Sequence, residues 1–142
     1  MNESTPYYIQ TDHTADLAIR VYGEDPKALF KNAGRALMDL MIVKASGDDA
    51  ANIEIAIEGE DLPDLMVRWL GEILYLFEGE GVVATEFDIH ELESKKLRAT
   101  VGGVPFDPEI HEVLTDIKAV TYHQIEVAPR GGRWEAKVTF DV

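Results

Sequence analysis

The chain has 142 residues, 46% of them hydrophobic, with no cysteine and a formal net charge of −14 from 27 Asp and Glu against 13 Lys and Arg. That length fits one domain, 1–142, with enough apolar material for a core, and the missing cysteines exclude disulfides, a thiol nucleophile and thiolate zinc. Binding a nucleic-acid backbone takes clustered Lys and Arg, so no direct nucleic-acid contact is expected and any link to RNA runs through a basic partner protein.

Taken in chain order, Tyr7-Tyr8-Ile9-Gln10 reads as a short strand after a polar start without the basic-then-apolar plan of a signal peptide. Leu17, Ile19 and Val21 alternate with Ala18 and Arg20, the period of a second strand. Asp25 suits an N-cap and Pro26 a first helical position, and Leu29, Ala33, Leu37, Leu40 and Met41 follow at helical spacing. Ile53, Ile55 and Ile57 alternate with polar residues in another strand. Asp61 then caps a second helix whose buried stripe is Leu62, Leu65, Trp69, Ile73, Leu76 and Phe77, with Gly79 and Gly81 as its stop. Arg68 and Glu72 break this most apolar stretch, which falls short of the roughly 18 apolar residues a membrane helix needs. A cytoplasmic protein without membrane contact is the expectation.

Thr85-Phe87-Ile89 and Leu97-Ala99-Val101 predict a hairpin around Glu93-Ser94, and Ile117 to Val127 a long mixed segment with room for a bend or bulge. Arg130-Gly131-Gly132 turns into a last strand with Trp134, Ala136, Val138, Phe140 and Val142 on one face and Glu135, Lys137, Thr139 and Asp141 on the other. The whole predicts an α+β domain of two layers, a mostly antiparallel sheet with two amphipathic helices packed on one face. An internal duplication is also expected. The offset that carries Gly23-Glu24-Asp25 onto Gly59-Glu60-Asp61 carries Leu29 onto Leu65, Leu37 onto Ile73, Leu40 onto Leu76 and Met41 onto Phe77.

Chemistry-bearing residues gather in a few places. Asp12-His13-Thr14-Ala15-Asp16 is either a side-chain-stabilised turn or part of a cation site. Asp141 and the terminal carboxylate at Val142 supply further hard oxygens, of the kind that suits Ca²⁺, Mg²⁺ or Mn²⁺ and not zinc; a frayed, solvated strand end is the alternative. Asp107, His111 and Glu112 are conceivable ligands in a loop whose Asp-Pro step favours an ordinary turn. Lys118 stands in an otherwise apolar strand beside Val120 and Tyr122, either snorkelling to solvent or presenting a cation to a partner or phosphate. His123 is equally a core hydrogen-bonder or a site residue. No phosphate-cradling loop, nucleophile elbow or metalloprotease helix motif is present.

Three blocks taken together resemble the archease family. They are Asp12-His13-Thr14-Ala15-Asp16 with Tyr22-Gly23 and Ala28-Leu29-Phe30; Asp61-Leu62 through Leu74-Tyr75-Leu76-Phe77; and Asp107-Pro108-Glu109-Ile110-His111 with Ile117-Lys118-Ala119-Val120-Thr121-Tyr122-His123 and the closing Phe140-Asp141-Val142. The resemblance implies a non-catalytic protein cofactor of the manganese- and GTP-dependent RNA ligase of tRNA splicing, one that promotes ligase guanylylation and multiple turnover. It implies a divalent cation, calcium in the family, held by Asp12, Asp141 and Val142, and a functional role for Lys118. His13, Asp16 and His123, which lie in the same motifs, are expected to face the partner. The family commonly has Gly-Thr-Glu where this chain has Leu114-Thr115-Asp116. Two other readings use the same residues: a small metal-dependent hydrolase or phosphatase, and a general chaperone. The oligomeric state is open.

Overall fold

The computed structural model describes residues 6–10, 16–43 and 51–142. The described elements are strands β1 (Tyr8–Gln10) and β2 (Asp16–Gly23), helix α1 (Pro26–Met41), strand β3 (Ala51–Glu58), helix α2 (Leu62–Glu80), and strands β4 (Val82–Glu93), β5 (Lys96–Pro105), β6 (Ala119–Arg130) and β7 (Arg133–Asp141). The α+β class and the antiparallel pairing are as the sequence predicts. The strands divide between two sheets, however, ordered β1-β2-β7-β6 and β3-β5-β4. Each helix packs against strands of both sheets, so the helix layer joins what strand hydrogen bonds do not.

The division follows from the duplication. The inner unit β3-α2-β4-β5 has strand order β3-β5-β4, and the outer unit β2-α1-β6-β7 has the same connectivity and the matching order β2-β7-β6. One unit is inserted in the other between α1 and β6. The two sides of the insertion meet at an isolated antiparallel bridge between Ile42 and Val113, flanked by bonds from Val43 N–H to the Glu112 carbonyl (2.8 Å) and from Leu114 N–H to the Met41 carbonyl (2.7 Å).

Local chemistry repeats with the topology. Asp25 accepts a hydrogen bond from Ala28 N–H at 2.8 Å and Asp61 from Asp64 N–H at 2.9 Å, each in extended backbone at the helix N-cap. Gly23 and Gly59 precede those caps because the strand end abuts the first helical turn. A Cβ on Gly23 would lie 2.5 Å from the Leu29 backbone nitrogen, and one on Gly59 2.8 Å from Asp64 Oδ2.

The core lies between helices and sheets. Fully buried Trp69 donates its indole N–H to the Phe30 carbonyl at 2.9 Å, which ties α2 to α1, and meets Phe87 edge to face at 6.1 Å. Three details differ from the sequence reading. Helix α2 continues through Gly79, whose bare Cα accommodates the Tyr75 ring, and stops only at left-handed Gly81 (φ 67°). Thr85 leaves the apolar face because Ala84 pairs with Gly103 and Glu86 with Gly102, which makes Thr85 the extra residue of a bulge. Lys118 lies just before β6 and not within it.

The repeated glycines give a graded test. Gly23→Ala forces backbone apart and is expected to cost about 2–3 kcal/mol, whereas Gly59→Ala meets side-chain atoms and costs about 1 kcal/mol. Urea denaturation of both variants checks the order; equal costs would contradict the packing described.

Candidate functional site

Strand β7 lies between β2 and β6, and its last residue marks a corner where the three strands end. Asp141 is the cross-strand partner of Asp16 on one side and Ala119 on the other. Lys118 enters this corner through its backbone, its N–H donating to the Asp141 carbonyl at 2.8 Å. Asp141, Val142 and Lys118 are exposed. Residues opposite one another in antiparallel strands have Cβ atoms roughly 4.5–5.5 Å apart, and like charges there repel. The ion pairs among the described residues include neither Asp16 nor Asp141. Asp12 and His13 lie outside the described residues. Among the described residues no three His, Asp or Glu side chains converge as a metal-holding group.

A second feature adjoins the corner on the polar face of the same sheet. Between Thr121, opposite Thr139, and Glu126, opposite Lys137, strand β6 carries extra residues in a bulge. Gln124 in this bulge has φ 53°, a left-handed backbone conformation uncommon for a side-chain-bearing residue. The bulge overhangs a hollow of about 240 Å³ lined by Asp16, Ala18, Arg20, His123, Gln124, Lys137 and Thr139. His123 is therefore exposed and shares a hollow with Asp16, which removes the core reading of this histidine. Lys137 donates to Gln124 Oε1 at 2.6 Å, and Arg20 pairs with Glu135 at 2.6 Å.

Tyr122 pins the bulge to α2. Its hydroxyl donates to Asp64 Oδ1 at 2.6 Å, while Asp64 Oδ2 accepts from the Glu60 N–H at 2.8 Å and from Arg68 Nε at 2.9 Å. The Tyr122 bond, followed by those from Glu60 and Arg68, holds the Asp64 carboxyl at a pKa of about 2. The same bond raises the Tyr122 phenol.

Comparison with known proteins agrees with this arrangement of strands and motifs. The sequence profile described as the Archease protein family (MTH1598/TM1083) matches residues 8–142. The chain belongs to the archease family. Similar relatives include Protein archease of Methanopyrus kandleri, 37% identical over 136 residues covering 94% of this chain and 97% of that one. Protein archease of Pyrococcus furiosus is 39% identical over 137 residues, covering 92% and 95%. The solution structure of Protein 1598 of Methanobacterium thermoautotrophicum superposes with a TM-score of 0.76 at 28% identity, covering 96% of this chain and 99% of that one. A Thermotoga maritima crystal structure, described as an archease and possible chaperone, shares the fold with a TM-score of 0.64 at 24% identity, covering 100% and 99%.

Of the residues the archease motifs single out, the fold brings Asp16, Lys118 and Asp141 to one corner and His123 beside Asp16, with Val142 next in the chain. Among the described residues it does not bring Asp107, His111 and Glu112 together as a metal-holding group. His111 is buried and its Nδ1 accepts the Asp107 N–H at 2.8 Å, which makes it the brace of a turn. Leu114 does not adopt positive φ, so the Leu114-Thr115-Asp116 segment forms without the left-handed backbone that would favour glycine. Sequence reasoning missed the Asp64–Tyr122 tie. The i,i+4 spacing of Asp64 and Arg68 is the one local signal near it, and it does not point to Tyr122.

Because the folded pKa of Asp64 is depressed, its stabilisation is complete above the unfolded value near 4 and is lost as pH falls through about 2. Thermal midpoints of wild type and Asp64→Asn should thus differ most above pH 4 and converge toward pH 2. A gap independent of pH would contradict the tie.

Proposed function

We propose that this chain is a non-catalytic protein activator of the GTP-dependent RNA ligase of tRNA splicing, promoting ligase guanylylation and multiple turnover. The reading is carried most by the corner where Asp141 stands between Asp16 and Lys118, in a member of the archease family. The cation set proposed is Asp12, Asp141 and Val142. The donors fit a hard divalent ion such as Ca²⁺, with Mg²⁺ and Mn²⁺ as alternatives: they are oxygens, and Asp141 faces a second carboxylate without a cationic partner among the described residues. A bound ion would supply positive charge at this corner for phosphate or carboxylate oxygens.

The chain's own residues do the remaining work. Lys118 has its backbone fixed by the Asp141 carbonyl and its side chain in solvent, which suits it to reach an anionic group in a partner's cleft. His123 and Asp16 line the neighbouring hollow, where both offer polar atoms to a partner. The net charge of −14 favours a basic, RNA-binding protein as partner and disfavours RNA itself.

The test is a guanylylation assay with the host's ligase and GTP. Wild-type protein accelerates ligase–GMP formation, and Asp12→Ala, Asp141→Ala and Lys118→Ala, each folded by circular dichroism, are expected to lose tenfold or more of that stimulation, about 1.4 kcal/mol. Full stimulation by all three would end the proposal. Phosphoester turnover by the protein with Mn²⁺ and no ligase would favour the hydrolase reading.

A further inference from the structure

The loop between β5 and β6 carries a feature that the corner site does not use. Ile110, Val113 and Leu114 are exposed at 58%, 44% and 55%, and Val43, beside them across the Ile42–Val113 bridge, at 40%. Glu109, Glu112 and Asp116 alternate with them and are also exposed. Among the described residues none of these three carboxylates takes part in an ion pair.

The backbone beneath this patch is held firmly. Val43 N–H bonds to the Glu112 carbonyl, Leu114 N–H to the Met41 carbonyl and His111 N–H to the Asp107 carbonyl, all at 2.7–2.8 Å. Buried His111 braces the turn from below and stacks on Phe106 with ring centroids 5.6 Å apart. Exposed apolar side chains on a pre-ordered backbone lose little freedom on docking, which is how a small patch yields affinity. Large apolar side chains left exposed close together in one loop and rimmed by charge suit an interaction site.

We propose that Val43, Ile110, Val113 and Leu114, with Glu109, Glu112 and Asp116 as rim, form the docking surface for a protein whose matching face is an apolar prominence ringed by Lys and Arg. The proposal rests on the activator reading, which makes that protein the ligase. Charge decides the occupant. An acidic rim is repelled by nucleic acid and by anionic lipid, and a second copy of this chain would bring the same rim and the same −14 charge. Position supports it as well. Leu114 precedes Lys118 by four residues, a span of at most about 14 Å, so the patch lies within reach of a partner that engages the corner.

The experiment measures binding of the full-length chain to the host's full-length ligase by surface plasmon resonance across ionic strength. Ile110→Asn and Leu114→Asn are expected to weaken affinity about tenfold or more, chiefly through dissociation. Ile9→Asn, an exposed apolar residue outside the patch, leaves it unchanged. Glu109→Gln with Glu112→Gln slows association at low salt and flattens its salt dependence. Wild-type affinity in both Asn variants, with folding retained by circular dichroism, overturns the docking surface and leaves the activator reading standing. A wild-type dimer in sedimentation that Leu114→Asn dissociates assigns the patch to a second copy and also overturns it. No binding of wild-type protein to the ligase removes the activator reading and this proposal with it.

Discussion

The ladder β2-β7-β6 is the constraint on which the candidate site depends. Antiparallel register is discrete, and a slip of one residue turns every side chain to the opposite face. The eight partners from Asp16–Asp141 to Gly23–Trp134 are held in register by Ile19, Val21, Ala136, Val138 and Phe140, all fully buried beneath the helices. Core packing therefore fixes which polar residues meet at the far end. Asp141 meets Asp16 because Val138 and Phe140 must face the helix layer.

The nested duplication explains why this ladder includes the end of the chain. The outer unit places β2 and α1 before the insertion and β6 and β7 after it, so residues distant in sequence become neighbours in one sheet. The Ile42–Val113 bridge closes the insertion and fixes the loop before β6. The same bonds that seal this junction fix the backbone of exposed Val113 and Leu114. The fold and the two candidate surfaces thus share one structural cause.

Much of this was legible in the sequence, and the part that was not has physical reasons. Both helices and their caps were readable because Asp25, Pro26 and Asp61 act locally and Leu29, Leu37, Leu65 and Ile73 repeat at the helical period. The last strand was readable because its alternation is unbroken from Trp134 to Phe140. Two sheets in place of one were not, because strand partners are chosen at long range and alternation does not name them. The Thr85 bulge broke a pattern that the sequence suggested was regular. The corner residues were found through motif resemblance, whereas the Tyr122–Asp64 bond joins residues 58 positions apart and left no local signal.

The central claim is that a divalent cation binds at the corner where β2, β7 and β6 end. The most direct measurement is a Mn²⁺ titration of ¹⁵N-labelled protein followed by paramagnetic broadening of backbone amides. Broadening should begin at substoichiometric metal at Asp16, Lys118 and Asp141, and Asp141→Asn should abolish it. Broadening spread over the acidic strands β3 and β4, with these three amides still sharp, would contradict the account.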